Sequence, residues 1–232
     1  MTKIQSDALV VRTVELGEAD VVATMVTEQV GKVSVIVRGA RKGSRRVEGA
    51  LEPIHTISVL LEDRGHEMMT LKESRIVRMR PGVVATLEAL DAAGVALRWV
   101  RHLFPPRTPE PDGWRALVEL LDALDAGTSS PRLELARAGL ALLAAVGYAL
   151  ELDRCVVCGR PCPATKAACV DPARGGLVCR ACGGSATVLL PDLRAAARAL
   201  ASGPAPDVTP TQAESILRLV DRSMAAHAGF ER

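Results

Sequence analysis

Four cysteines in two closely spaced pairs are the residues best suited to chemistry in this sequence. Cys155 and Cys158 form one C-x2-C pair, and Cys179 and Cys182 form a second pair after twenty intervening residues. Each pair lets two sulfurs converge from one tight turn, and Zn²⁺ binds four thiolates tetrahedrally at about 2.3 Å. The spacing therefore predicts one structural zinc ion, because four thiolates leave no open position for a substrate.

Two further cysteines and other states of the thiols leave alternatives to this zinc site. Cys162 and Cys169 belong to no second C-x2-C pair, yet either residue can replace one of the four ligands. Six reduced thiols without metal, an iron–sulfur cluster and a disulfide framework are the other interpretations. We expect reduced cysteines, because the opening residues show no secretion signal, and nothing else in the sequence indicates electron transfer.

The first eighty residues contain five short β-branched segments that predict strands. These segments cover residues 9–14, 21–27, 33–37, 57–61 and 68–77. Turn residues such as Gly31 and Gly65 separate them. Five short strands in so short a length favour a small closed barrel of the OB type, because closure leaves no exposed sheet edge. An SH3-like barrel is the alternative.

A basic segment separates the third and fourth predicted strands. It runs from Arg38 to Arg46 and contains five cations and no acid in nine residues. Its glycines let a phosphate backbone approach closely, and its charge is not compensated locally, so we predict phosphate contacts. An ordinary solvated loop is the alternative. The predicted contact residues are Arg38, Arg41, Lys42, Arg45 and Arg46, with Arg12 and Lys32 as neighbours in the barrel.

Aromatic side chains are absent from the whole of residues 1–80. OB-folds that hold single strands tightly stack the bases on aromatic side chains, and this barrel has none to offer. The formal net charge of the chain is only +2, so the overall charge does not point to nucleic acid by itself. If the barrel binds nucleic acid, it must hold the backbone and leave the base edges free.

Helical periodicity dominates most of the remaining sequence. Apolar residues recur at helical spacing in residues 83–100, 114–124, 131–146, 192–201 and 210–224. Ser130 with Pro131 marks one helix start, and Thr209 with Gln212 forms a capping box at another. Residues 140–146 are apolar nearly all round, which predicts the buried centre of a bundle.

These patterns predict an α+β chain with several domains. Residues 1–80 form an OB-fold nucleic-acid-binding domain, and residues 81–150 with 190–232 form a helical bundle domain. Residues 151–189 form an inserted zinc-ribbon-like module between two helices.

Motifs of common enzyme classes are missing from the sequence. The four histidines are scattered, and neither a phosphate-binding loop, a nucleophile elbow nor a deaminase signature is present. We therefore expect no enzyme. The longest uncharged run, residues 138–150, is too short to span a membrane, so we expect a cytoplasmic protein.

Several of these features together resemble the RecO family of bacterial DNA repair and recombination proteins. The matching stretches are the turn Glu28-Gln-Val-Gly-Lys32, the segment Arg38-Gly-Ala-Arg41-Lys42 with Ser44-Arg45, the pair Glu52-Pro53 and the two cysteine pairs. The resemblance implies an OB-fold, a helical domain and a zinc-ribbon-like module. It also implies a nucleoid-associated protein of the DNA damage response that binds single- and double-stranded DNA, anneals complementary strands and helps load the recombinase onto strands coated with single-strand binding protein.

The resemblance implies protein partners as well. They are RecR, the acidic C-terminal tail of single-strand binding protein and, indirectly, the recombinase; no membrane is implied. We place the tail in an apolar groove of the helical body, near Trp99 and Trp114 and beside Arg98 and Arg101, with plain core packing as the alternative. Competing functions are an RNA-binding translation or ribosome-associated factor and a zinc hydrolase.

Overall fold

The computed structural model describes residues 1–40, 51–205 and 207–228. The chain divides into two compact units, Met1–Ala126 and Gly127–Arg232. The boundary between them falls inside the predicted helical domain, residues 81–150 with 190–232. Two helices belong to the same unit as the barrel, and three helices belong to the second unit. The organisation into three domains stays a prediction.

Five strands close into a barrel in the first unit. They are β1 (Thr2–Leu16), β2 (Asp20–Thr27), β3 (Gly31–Val37), β4 (Thr56–Asp63) and β5 (Met69–Arg78). The order is β1-β2-β3-β5-β4, and β1 also pairs with β4, which completes the closure. All neighbours are antiparallel except β3 and β5. The five-stranded barrel predicted from the sequence is confirmed.

The long strand β1 pairs with two neighbours along its length. Residues 2–8 pair with β4 and residues 8–16 pair with β2, and a bulge interrupts the second pairing between Val10 and Arg12. Bulges bend a strand and increase its twist, which a small barrel needs at its corners. The barrel interior is aliphatic, as the composition predicted. Its buried residues include Val10, Met25, Val35, Ile57 and Leu61.

Two helices follow the barrel within the first unit: α1 (Leu87–Leu103) and α2 (Pro111–Ala126). The sequence pattern placed the start of α1 at Val83, which is wrong by one turn. Residues Pro81–Val84 instead form a 3₁₀ turn, and Thr86 caps α1 by accepting a hydrogen bond from the N–H of Ala89.

The tryptophans of α1 and α2 belong to the core of this unit. Trp99 is 1% exposed and Trp114 is 9% exposed. Both rings are buried, so the alternative of core packing holds for the two tryptophans, and they do not line an open groove. Arg98 remains exposed on α1.

A buried cation connects the barrel to α2. Arg80 is 0% exposed, and its Nε atom lies 2.7 Å from Oδ1 of Asp122. Its Nη1 atom donates to the carbonyl of Ile54 at 2.8 Å and to the hydroxyl of Thr56 at 2.9 Å. Arg80 thereby ties the start of β4, the end of β5 and α2 together. A buried charge is tolerated only when it is paired and hydrogen-bonded in this way.

The second unit consists of three helices and a small sheet. The helices are α3 (Pro131–Ala145), α4 (Pro191–Ser202) and α5 (Pro210–Ala228). The strands β6 (Glu151–Cys155), β7 (Ala168–Asp171), β8 (Gly176–Leu177) and β9 (Thr187–Leu189) lie between α3 and α4, in the order β6-β8-β7-β9. The helix α3 packs against both α4 and α5, consistent with its apolar sequence.

Local signals at the helix ends agree in part with the structure. The capping box of α5 is confirmed, because the N–H of Gln212 donates to Oγ1 of Thr209 and the N–H of Thr209 donates to Oε1 of Gln212. Ser130 is the N-cap residue of α3 as predicted, but its side chain makes no capping hydrogen bond. Across the described residues, no helix combines the length and apolar character needed to cross a membrane.

We expect Asp122→Ala to destabilise the first unit, because it leaves the buried Arg80 without its counter-charge. Breaking a fully buried pair costs about 3–5 kcal/mol, and since Asp122 is 31% exposed we expect about 2–3 kcal/mol. Urea unfolding followed by tryptophan fluorescence measures this, because both tryptophans of the chain lie in this unit.

The matched control is Asp112→Ala, which removes an exposed carboxylate paired with the exposed Arg115. Its free energy of unfolding should change by less than about 0.5 kcal/mol. Equal effects of the two substitutions would show that the Arg80 contact does not stabilise the unit.

Candidate metal centre and nucleic-acid interface

The two cysteine pairs converge at one end of the small sheet in the second unit. Cys155 ends β6 and Cys158 follows in the next turn, while Cys179 and Cys182 flank and end a 3₁₀ turn after β8. All four Sγ atoms lie within 4.8 Å of one another, and those of Cys158 and Cys179 are 3.8 Å apart. Tetrahedral ligands at about 2.3 Å from a metal are separated by about 3.8 Å. The four sulfurs therefore fit one tetrahedral ion.

Glycines allow the sharp turns just behind each pair. Gly159 has a φ of 70°, and its N–H donates to the carbonyl of Cys155 at 2.8 Å. Gly183 has a φ of 101° and ends the turn that carries Cys182. Only glycine adopts such positive φ values at little cost. The tight turns expected from the two C-x2-C pairs are therefore present.

Main-chain amides prepare one of the sulfurs for metal binding. The N–H groups of Cys179 and Cys158 donate to Cys155 and lower the pKa of its thiol to about 6. The pKa of Cys182 is raised to about 12, chiefly because its thiol hydrogen-bonds to Cys179. Before a metal binds, one thiolate is thus favoured while a neighbour keeps its proton. A bound cation has to displace the remaining protons, which makes metal affinity depend on pH.

A buried arginine from α4 holds the chain beside the first cysteine pair. Arg194 is 2% exposed, and its Nε donates to the carbonyl of Leu152 at 2.5 Å. Its two terminal nitrogens donate to the carbonyls of Pro163 and Cys162 at 2.9 and 2.7 Å. No pattern in the sequence predicted a role for this residue. The only signal was a cation at helical spacing with the apolar residues of α4, which is common on solvent-facing positions as well.

The two remaining cysteines lie outside the four-sulfur cluster. The thiol of Cys162 contacts the carbonyl of Arg160 at 3.9 Å, and burial raises its pKa. Cys169 pairs with Val188 between β7 and β9. Both are described by the structure, and neither joins the group of Cys155, Cys158, Cys179 and Cys182. The set brought together is the one that the C-x2-C spacing predicted.

The predicted phosphate-contacting residues of the barrel differ in their surroundings. Arg12 is exposed on β1 beside the bulge, and Arg38 is exposed directly after β3. The N–H of Gly39 donates to Oδ1 of Asp20 at 2.9 Å, which fixes where the basic segment leaves the barrel. Four more of the seven predicted residues, Arg41, Lys42, Arg45 and Arg46, lie outside the described residues.

Lys32 has a more enclosed position than the two arginines. Its Nζ donates to the carbonyl of Arg101 on α1 at 2.6 Å. Burial lowers the pKa of Lys32, and the positive charge of Arg101 lowers it further. The barrel turn beside it also packs closely, since a Cβ on Gly31 would lie 1.9 Å from the carbonyl oxygen of Thr108. Lys32 therefore joins the barrel to the helices, and its contact with phosphate stays a prediction.

Comparisons with known proteins assign the family. The profile described as "Recombination protein O N terminal" matches residues 1–80, and "Recombination protein O C terminal" matches residues 84–232. The "DNA repair protein RecO" of Anaeromyxobacter sp. (strain K) is 34% identical over 229 residues, covering 98% of this chain and 83% of that protein. The protein of that name from Geobacter sulfurreducens is 37% identical over 186 residues, covering 79% and 74%.

A third relative extends the same pattern. The "DNA repair protein RecO" of Myxococcus xanthus is 33% identical over 223 residues, covering 86% of this chain and 90% of that protein. These matches span the barrel and the cysteine-bearing unit alike, and they confirm the resemblance that the sequence motifs indicated. The chain belongs to the Recombination protein O family.

Proposed function

We propose that this protein acts in DNA repair as a non-enzymatic recombination mediator. It binds single- and double-stranded DNA, anneals complementary strands and helps load the recombinase onto strands coated with single-strand binding protein. The observation that carries this proposal is the closed barrel without aromatic side chains, from which a basic segment begins at the exposed Arg38. The name of the relatives, "DNA repair protein RecO", supports it.

Exposed cations on the barrel support contact with the DNA backbone. Neither Arg12 nor Arg38 forms an ion pair with another residue in the described part of the chain. Both guanidinium groups can therefore pair with phosphate oxygens, for which their planar N–H groups are well suited. Because the barrel cannot stack bases, the base edges of a bound strand stay available to a complementary strand. This is the physical route from the barrel to annealing.

The four-thiolate set supports a binding protein over a hydrolase. A tetrahedral site with four cysteines is closed, so a bound ion has no position for a catalytic water. Among the described residues, no other group of three or more His, Cys, Asp or Glu side chains is placed to hold a metal. Competition between DNA and RNA of matched sequence distinguishes the proposed function from that of an RNA-binding translation factor.

We infer that RecR and the acidic tail of single-strand binding protein are partners. This inference is supported by the family alone, and the tryptophan groove is no longer available to receive the tail. Fluorescence anisotropy of a labelled acidic tail peptide tests the second partner. Absence of binding at moderate salt would remove the tail from the proposal and leave DNA binding untouched.

The quadruple substitution R41A/K42A/R45A/R46A tests the DNA site on the barrel. If all four side chains meet phosphates, the log–log salt dependence of DNA affinity should become less steep. The expected change is about 2.8 for a single strand and about 3.6 for a duplex. Annealing of complementary oligonucleotides should slow in the same variant, since both effects depend on the same contacts.

The control for this experiment removes four cations that are already ion-paired, Arg115, Arg132, Arg174 and Arg218. It changes the net charge equally, so a loss of DNA affinity in both variants would reflect overall charge only. An unchanged salt dependence in R41A/K42A/R45A/R46A would place the DNA site elsewhere.

We propose that the ion held by Cys155, Cys158, Cys179 and Cys182 is a single structural zinc. Metal analysis should give one zinc per chain, and Cys179→Ser or Cys158→Ser should lose the ion together with the order of the second unit, because ligation free energy contributes to folding. Urea unfolding reported by tryptophan should stay unchanged, since both tryptophans lie in the first unit.

The matched controls for the zinc site are Cys162→Ser and Cys169→Ser, whose thiols lie outside the cluster. Both should retain one zinc. Absence of zinc from the unmodified protein, or its loss from Cys162→Ser as readily as from Cys179→Ser, would contradict the assigned ligand set.

A further inference from the structure

A cavity lies beside the cysteine cluster in the second unit. Its volume is about 450 Å³. Apolar side chains form much of its lining, among them the buried Val178 and the half-exposed Val188. Three exposed cations also line it: Arg160, Lys166 and Arg180. The cavity thus combines an apolar surface with a concentrated positive charge.

The positive charge of this cavity is not compensated by nearby acids. No carboxylate lines the cavity, and none of its three cations forms an ion pair with another described residue. The acids of the surrounding segment are already used. Glu151 accepts the main-chain N–H groups of the two residues that follow Leu152 in β6. Asp153 pairs with Arg198 of α4, and Asp171 pairs with Arg174 in the adjacent 3₁₀ turn. Uncompensated cations around a concave surface attract anionic ligands.

We propose that this cavity binds one nucleotide of a single DNA strand. Its phosphates would contact Arg160, Lys166 and Arg180, and its sugar and base would cover Val178 and Val188. A cavity of this volume matches one small ligand and does not admit a duplex. The inference rests on the proposed DNA binding and adds to it a second contact, in the unit that carries the metal centre.

The main chain around the cavity favours a nucleic acid strand over a peptide. Pro161 and Pro163 have no N–H, and the N–H of Cys162 donates to the carbonyl of Asp153. The carbonyls of Arg160, Cys162 and Pro163 also accept hydrogen bonds from within the unit. The wall formed by residues 160–163 therefore offers an extended peptide few main-chain partners, whereas phosphate groups need only the cationic side chains.

The closeness of the cations to the cysteine cluster raises a competing role for them. Four thiolates around Zn²⁺ carry a net negative charge, and Arg180 lies between Cys179 and Cys182 in the sequence. Cations that only neutralise the cluster would affect metal retention. Cations that bind a DNA strand would affect DNA affinity at unchanged metal content.

The test compares the full chain with the variant R160A/K166A/R180A. Fluorescence anisotropy of a labelled oligothymidine is measured across a range of salt concentrations. The single-strand salt dependence should become less steep by about 2, and affinity at low salt should fall, because three phosphate contacts are lost. Duplex affinity should change less. Zinc content and the rate of zinc release to a chelator should match those of the unmodified protein.

The control R132A/R174A/R218A removes the same charge from cations that are already ion-paired, and it should keep the salt dependence of the unmodified protein. The proposal is overturned if the cavity variant binds the oligonucleotide unchanged, or if the control loses as much affinity.

Faster zinc release with unchanged DNA binding would assign the cations to the metal centre, and loss of acidic-peptide binding alone would assign the cavity to a peptide. If the unmodified protein binds no DNA, the proposed function itself fails, and this inference fails with it.

Discussion

A guanidinium group that is removed from water must find acceptors for its N–H groups, and this constraint organises both units of the protein. In the first unit, Arg80 meets it at Nε with the carboxylate of Asp122 and at Nη1 with the carbonyl of Ile54 and the hydroxyl of Thr56. Its Nη2 is buried and has no hydrogen-bond partner among the described residues. In the second unit, Arg194 satisfies it with three carbonyls around the first cysteine pair. Each arginine thereby fixes several chain segments at once. Removing any acceptor would leave a buried donor unpaired, which is costlier than the bond is favourable.

The two buried arginines act close to the residues assigned to function. Arg80 holds Ile54 and Thr56, where the chain re-enters the barrel after the basic segment. Arg194 holds the carbonyl of Cys162, a residue that lines the cavity beside the metal centre. Binding surfaces that are formed by loops need such rigid support, because a contact loses free energy when its side chains must first be ordered.

The composition of the barrel is consistent with the proposed binding of the DNA backbone, which would leave the bases exposed. Its interior is filled by Val, Leu, Ile, Met and Ala, and no aromatic residue occurs before Trp99. The aromatic side chains that other OB-folds place on the surface for stacking are missing, while arginines occupy exposed positions on β1 and after β3. The four cysteines of the second unit fit one tetrahedral ion, and four thiolates leave such an ion no open position for a substrate.

Features that depend on neighbouring residues could be read from the sequence itself. Short β-branched segments between turn residues indicated all five barrel strands, the pair Thr209 and Gln212 indicated the capping box of α5, and the C-x2-C spacing indicated the four converging sulfurs. In each case the interacting groups lie within a few residues of one another, or share a pattern whose geometry is almost invariant. The start of α1 was misplaced because Pro81 favours a separate 3₁₀ turn before the helix.

Only the tertiary structure decided which side chains meet across long separations. Lys32 and the carbonyl of Arg101 are 69 residues apart, and Arg80 and Asp122 are 42 apart. The burial of Trp99, the carbonyl contacts of Arg194 and the gathering of Arg160, Lys166 and Arg180 around one cavity are of the same kind. Such contacts depend on how whole elements pack. A cation on a helix or a loop has the same local sequence signal whether it faces water, a carbonyl or a phosphate.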